Sequence, residues 1–209
     1  MLLDSQDYKT NIISVKGQFI SEFRYSYNVG STKYYEARIM VQRISGINDF
    51  FQVVTDSRGV CSDIRGKYVE IEGTIRSLTK VDESETKRLN VFIFANYIKV
   101  FEPKELENFE FNNYISISGE VVHTPRFKIT ISGKVICEML IGVKTSFGKK
   151  DYLIPCITWN RIAEMSKLLE VGDKVEIKGR LQSRVYNKNG KEHEVYEVSC
   201  YYLSPIFDE

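Results

Sequence analysis

Gly66-Lys67-Tyr68-Val69-Glu70-Ile71-Glu72-Gly73-Thr74-Ile75-Arg76-Ser77 returns 106 residues later as Gly172-Asp173-Lys174-Val175-Glu176-Ile177-Lys178-Gly179-Arg180-Leu181-Gln182-Ser183. Gly, Val, Glu, Ile, Gly and Ser coincide without a gap. Earlier in each copy, Asn11-Ile12-Ile13-Ser14-Val15-Lys16-Gly17 matches Asn113-Tyr114-Ile115-Ser116-Ile117-Ser118-Gly119 at an offset of 102, and Asp49 pairs with Asp151 at the same offset. The second copy therefore carries about four extra residues ahead of its G-x-x-V-E-I segment, the length of one helical turn. A period near 105 is domain-sized and too long for a solenoid repeat. It predicts two domains, residues 1–103 and 110–209. The charged, proline-containing stretch Phe101-Glu102-Pro103-Lys104-Glu105-Leu106-Glu107-Asn108 is the linker between them.

Around these segments, alternating and β-branched runs dominate. In the second copy they predict strands near Ile115–Val122, Val135–Lys144, Tyr152–Thr158, Lys174–Val185 and Glu194–Tyr202. A short helix fits Asn160–Leu169, where Ile162, Met165, Leu168 and Leu169 recur at helical spacing and Gly172 follows as the C-cap. Asn187-Lys188-Asn189-Gly190 reads as a hairpin turn. The first copy repeats the order with strands near Ile12–Ile20, Tyr34–Arg43, Phe50–Thr55, Tyr68–Leu78 and Arg88–Lys99, and its Ser57–Arg65 is short enough to reduce the helix to a turn. Five strands with a helix between the third and fourth is the order of the oligonucleotide/oligosaccharide-binding (OB) fold. The expectation is an all-β chain with a small helix per domain, folded as two tandem five-stranded OB barrels. Gly17, Gly73, Gly119 and Gly179 lie inside strands, where glycine marks the sharp bends that a small barrel needs.

Composition narrows the function. The net charge is only +1, but Arg126–Lys191 holds 14 Lys/Arg against 6 Asp/Glu, which leaves the rest of the chain at −7. A basic stripe in an otherwise acidic chain suits a phosphate backbone, although a solvated face of mixed charge is the plainer alternative. Cys61, Cys137, Cys156 and Cys200 lie too far apart for a zinc knuckle, and with only His123 and His193 no metal or nucleophile–histidine site suggests itself. The four cysteines read as reduced thiols, and no cofactor is implied. There is no phosphate-binding glycine loop, zincin motif or nucleophile elbow, and Asp82-Glu83-Ser84-Glu85 reads as a solvated hairpin loop, so an enzyme is not expected. No apolar run approaches the roughly 20 residues of a membrane span. Met1-Leu2-Leu3-Asp4-Ser5-Gln6-Asp7 lacks a basic leader, which predicts a cytoplasmic, nucleoid-associated protein.

Ile154-Pro155-Cys156-Ile157-Thr158-Trp159-Asn160-Arg161-Ile162-Ala163-Glu164, followed by Leu169–Arg184 and preceded by the opening Asn113–Gly119 strand, resembles the bacterial single-stranded DNA-binding protein family. Three motifs occur in order: an aromatic-x-x-x-A-E stretch, a K-G-D/S-x-V-x-I-x-G-x-L-x-T/S-R strand and an N-x-I-x-x-G strand. The resemblance covers about residues 112–203, while Tyr35–Gly46 looks like the partner domain of two-domain members. It implies sequence-tolerant binding and protection of single-stranded DNA in replication, recombination or repair. The aromatics implied to stack on bases are Phe147, Trp159 and Tyr186; a fourth family position falls on Leu153, with Tyr152 beside it as the candidate. Lys144, Lys149, Arg161 and Arg184 lie next to them and are candidates for phosphate contacts. By itself Trp159 reads equally as a core tryptophan under the helix. The first copy has Ser57 and Lys80 near the positions of Trp159 and Tyr186, and its Tyr25, Tyr27, Tyr34, Tyr35, Phe50 and Phe51 read first as core or cross-strand pairs. Family domains work in groups of four, which implies a homodimer here. Leu203-Ser204-Pro205-Ile206-Phe207-Asp208-Glu209 only loosely echoes the acidic tip with which family members recruit replication and repair proteins. An RNA-binding OB module and a protein scaffold of a replication or transfer complex are the other classes to distinguish.

Overall fold

The structure, a computed structural model, describes residues 11–81, 87–144, 151–188 and 190–207; the side chains of residues 80, 81, 87, 186–188, 191 and 193 lie outside that description. Among the described residues twelve strands and one α-helix follow in chain order: β1 (Asn11–Phe19), β2 (Arg24–Val29), β3 (Thr32–Gln42), β4 (Asn48–Asp56), β5 (Tyr68–Val81), β6 (Lys87–Val100), β7 (Asn112–Val121), β8 (Arg126–Ile129), β9 (Val135–Val143), β10 (Tyr152–Trp159), α1 (Asn160–Ser166), β11 (Lys174–Lys188) and β12 (Lys191–Pro205). A 3-10 helix, Pro103–Asn108, lies between β6 and β7. Internal contacts divide the chain into two compact units: Ile13–Ile75 with Phe92–Tyr114 (the first unit), and Ile115–Glu209 with Arg76–Val91 (the second).

The strands form because their apolar residues alternate. In β1, Ile13, Val15 and Phe19 are fully buried while the alternate residues Ile12, Ser14, Lys16 and Gln18 are not. In β11, Val175, Ile177 and Leu181 are likewise fully buried. Each such side chain contributes about 1.5–3 kcal/mol on leaving water, which fixes the register, since a slip of one residue would turn the whole set outward. The strand glycines have a specific task. A Cβ at Gly119 would lie 2.4 Å from the Gly142 carbonyl oxygen, and one at Gly179 would lie 2.5 Å from that of Ser199. Gly17 and Gly73 meet the Met40 and Phe94 carbonyls in the same way. The repeated glycines therefore mark where strands cross too closely for any side chain, and Gly179 also sits at a shift in register between β11 and β12.

The expected pair of closed five-stranded barrels is not what forms. Each half supplies six strands, ordered β2-β3-β4-β6-β5-β1 and β7-β11-β12-β10-β9-β8, and the sheet is not a closed barrel. Closure requires two neighbours for every strand. Among the described residues β2 pairs only with β3, and β8 only with β9, so both are free edges. The pairings that bend the sheet back, β3 with β1 and β7 with β9, extend over two residue pairs each. What the sequence missed are the edge strands. Neither β2 nor β8 contains a buried residue, so neither carries an inward apolar alternation. The all-β character and the OB order of the other strands remain.

The helix is shorter than its apolar spacing predicts. It ends at Ser166, so Leu168 falls beyond it and is 75% exposed, and Met165 is also exposed. The residues α1 buries are Ala163 and Ser166. Ser166 Oγ donates to the Ile162 carbonyl at 2.8 Å, and Thr158 Oγ1 lies 3.0 Å from Ser166 Oγ and 3.3 Å from the Cys137 carbonyl. This buried polar chain ties α1 to β10 and β9. Gly172 has φ +98°, as its place after the helix predicts. Among the described residues no helix is long and apolar enough to cross a membrane.

Candidate nucleic-acid interface

In the second unit the register defines one outward sheet face. On β10, Ile154, Cys156 and Thr158 point into the core, so Leu153, Pro155, Ile157 and Trp159 point the other way. Across the ladders, Ile157 faces Glu138 on β9 and Ser199 on β12, and Trp159 faces Ile136. Ser199 in turn faces Arg180 on β11, while Glu197 faces Gln182 and Val195 faces Arg184. At the edge, Arg126 faces Glu138 and Lys128 faces Ile136. At these positions the face carries a tryptophan, the cations Arg126, Lys128, Arg180 and Arg184, and the carboxylates Glu138 and Glu197.

Polar contacts fix this face. Trp159 is half-buried, and its indole Nε1 donates to Ser199 Oγ at 3.3 Å. The ring is neither sealed in the core nor loose in solvent. Immediately after it the chain turns sharply, because Asn160 adopts φ +51°, a left-handed value that asparagine tolerates better than most residues. Gln182 Nε2 donates to Glu197 Oε1 at 2.8 Å, and Arg184 Nε lies 3.5 Å from the same oxygen. Lys128 Nζ pairs with Glu138 Oε2 at 2.5 Å. Beneath the face, burial pushes the Cys137 thiol up to about 11, with the Glu138 charge adding to the effect. Burial also raises the Cys156 thiol, helped by its hydrogen bond to Cys200 and the Glu197 charge. These thiols are therefore packing groups. All four cysteines are free, and among the described residues no group of three or more His, Cys, Asp or Glu is arranged to hold a metal ion.

The candidates read from sequence distribute unevenly. Trp159 and Arg184 share the face, and the backbone of Tyr186 occupies a β11 position of the same parity, opposite His193. Arg161 is exposed in the first turn of α1, two residues beyond Trp159, and Lys144 is exposed just past the end of β9. Phe147 and Lys149 lie outside the described residues. Tyr152 has the parity of core-facing Ile154, opposite to that of Trp159, and the Arg76 guanidinium lies 5.8 Å from its ring centroid. Leu153 is the residue with the parity of Trp159. Sequence reasoning missed Arg126, Lys128, Arg180 and Ser199. Arg180, Gln182, Arg184 and Tyr186 do recur at a spacing of two within one strand, a signal present in the sequence once β11 is read as running to Lys188.

In the first unit the aromatics mainly meet each other. Phe51 is fully buried, Tyr27 and Tyr34 stack at 4.9 Å with an interplanar angle of 20°, and Tyr25 meets Tyr35 edge-on at 6.2 Å.

Comparison with known proteins agrees with this geometry. Residues 112–204 match the model of the single-strand binding protein family. The chain is 29% identical over 96 residues to "Single-stranded DNA-binding protein 1" of Streptococcus pyogenes serotype M6, an alignment covering 43% of this chain and 72% of that protein. Its fold is similar to the crystal structure of the wild-type single-stranded DNA binding protein from Thermus aquaticus, with a TM-score of 0.76 at 16% identity, covering 95% of this chain and 94% of that one. A deletion mutant of the same Thermus aquaticus protein matches equally, covering 95% of each chain. The family match coincides with β7–β12, the strands that hold Trp159 and the basic face. Residues 112–204 are thus similar in sequence, and the chain in fold, to bacterial single-stranded DNA-binding proteins.

Proposed function

We propose that this chain binds and protects single-stranded DNA with little sequence preference, as a binding protein and not an enzyme. The observation that carries the reading is Trp159, half-exposed on a cationic sheet face and held there by Ser199. Every base has a π-face, so an aromatic platform contributes about 1–3 kcal/mol per base without reading its identity. Phe147 and Tyr186 are the further stacking candidates, whereas Tyr152 lies on the opposite side of β10 from Trp159. Lys144, Lys149, Arg161 and Arg184, joined by Arg126 and Arg180, are the phosphate partners. Each phosphate neutralised releases counterions, which makes affinity fall with salt. The test is a competition assay in which labelled oligo-dT is displaced by unlabelled oligo-dT, duplex DNA or a folded RNA hairpin. Oligo-dT is expected to compete best. Stronger competition by the hairpin would favour an RNA-binding module, and no binding of any of them at low salt would leave a protein scaffold.

The chain assembles as a homodimer, giving four OB-type units. The duplicated sequence and the resemblance to a family whose domains work in fours support this. Sedimentation equilibrium at micromolar concentration is expected to give twice the chain mass of 24.3 kDa, and a monomer mass would refute it. The protein acts in the cytoplasm with the nucleoid, in DNA replication, recombination or repair.

A further inference from the structure

Two turns of the chain are built alike, one in each unit, and each lifts an isoleucine into solvent. Between β3 and β4, Arg43-Ile44-Ser45-Gly46-Ile47 closes with Arg43 N donating to the Ile47 carbonyl and Gly46 N to the Arg43 carbonyl, both at 2.8 Å. Between β8 and β9, Thr130-Ile131-Ser132-Gly133-Lys134 closes through the same two bonds, again at 2.8 Å. Gly46 and Gly133 have φ of +83° and +78°, the left-handed residue that ends such a loop. Ile44 and Ile131 hold the same place in the two turns, and both are fully exposed. Turn positions ordinarily take small or polar residues, so neither isoleucine is there for the turn's sake. The second turn is braced further: Thr130 Oγ1 accepts from Lys134 N at 2.9 Å and lies 3.1 Å from Ser132 Oγ. Ile131 therefore stands on a fixed tip.

The surroundings of the two tips differ. In the first turn Arg43 is turned onto buried Asp49, and Ile47 fills the last position. In the second turn that last position is Lys134, which is exposed. The bond from Thr130 to Lys134 extends the β8–β9 ladder by one pair, so both residues have the parity of Lys128 and Ile136, which lie in one row with Trp159. Along this path Glu138 engages Lys128, and Lys134 is the cation beside the tip. With strands about 4.8 Å apart and a rise of about 3.3 Å per residue, Ile131 lies roughly 10–15 Å from Trp159. A strand of about 4–16 nucleotides, the usual span of one OB unit, covers both. We infer that the β8–β9 tip is a second base-contact site: an unpaired base of the strand leaving Trp159 packs on Ile131, and Lys134 neutralises a phosphate beside it. The inference rests on the single-stranded DNA reading above. Continuity with the Trp159 face and the charge of Lys134 identify the occupant as that strand. The isoleucine covers apolar base surface without reading the base, as the proposed sequence tolerance requires.

The test measures binding of the full chain to labelled oligo-dT by fluorescence anisotropy at several salt concentrations, with each variant checked by circular dichroism and thermal melting. Ile131→Ser is expected to weaken binding about three- to tenfold, by the same factor at every salt concentration, because an apolar contact releases no counterions. Lys134→Ala is expected to reduce the salt slope by about 0.7, the value of one phosphate contact. Ile131→Leu keeps the apolar tip and should hold Kd within about twofold. Ile44→Ser makes the same change in the turn that has Ile47 in place of Lys134, and should also stay within about twofold. An unchanged Kd in folded Ile131→Ser, with Trp159→Ala still weakening binding, would overturn the inference and leave the stacking reading intact. Equal losses in Ile131→Ser and Ile44→Ser would overturn it as well, since Lys134 would then make no difference. So would a lowered sedimentation mass in Ile131→Ser at unchanged DNA affinity, which would assign the tip to a contact between copies. No effect of Trp159→Ala would instead refute the stacking reading itself, a separate outcome.

Discussion

Trp159 draws its properties from two neighbours. Ser199 holds the indole through Nε1, and Asn160 supplies the left-handed turn that ends β10 and starts α1. For an L-residue with a Cβ that conformation costs roughly 1–2 kcal/mol, less for asparagine and nothing for glycine. Asn160→Ala is therefore expected to lower stability by about 1 kcal/mol in urea denaturation, while Asn160→Gly leaves it nearly unchanged. An equal loss in both would mean that the side chain, and not the turn, matters. The first unit's buried pair shows the structural use of a charge, in contrast to a binding one. Asp49 is fully buried and takes Arg43 through two hydrogen bonds of 2.7 and 2.6 Å. The sequence offset linked Asp49 to Asp151, but nothing in it revealed that Asp49 is sealed under Arg43.

At the scale of elements, the strands that bury a face were legible and the edges were not. β1, β3, β4, β9 and β10 fall within two residues of the ranges read from alternation, and β7 within three, because burial in them follows the apolar residues of the sequence. The long hairpin strands β11 and β12 extend further than expected, β11 to Lys188 and β12 from Lys191 to Pro205. β2 and β8 escaped because neither contains a buried residue, and with them the free edges that replace closed barrels. The site divides likewise. Trp159 was found through its motif, whereas Arg180 and Ser199 acquire meaning only from the register of β10, β12 and β11, which one strand cannot specify. The strand glycines were legible in position, while their role at points of close backbone approach follows from the register. Gly179→Ala places a methyl against the Ser199 carbonyl and is expected to destabilise by about 1–3 kcal/mol, visible as a lower midpoint in thermal melting. Because Ser199 also holds Trp159, the variant should shift tryptophan emission in the folded state too. Unaltered melting and emission would show that β12 moves aside at no cost.

On the scale of the whole molecule, burial sets the reactivity of the thiols. Cys137, Cys156 and Cys200 are buried, and Cys61 is only partly so. Since the nucleophile is the thiolate, the native chain at pH 8 should react rapidly with a thiol reagent at one position, Cys61, and at all four after denaturation. Rapid reaction at Cys156 would contradict its place in the core. The same burial has a pH consequence. A thiol held at about 11 when folded and near 9 when unfolded favours the folded state below pH 9, and that contribution is lost as pH climbs toward 11. The duplication gives two related sheets, one carrying Trp159 on its outward face and the other the stacked Tyr27 and Tyr34. The central claim is that the open face binds by stacking, and the single tryptophan reports on it directly. Titration with oligo-dT, following Trp159 emission at two salt concentrations, is predicted to quench the emission and to show weaker binding at the higher salt. Unchanged emission through a titration that also gives no shift on a gel would contradict it.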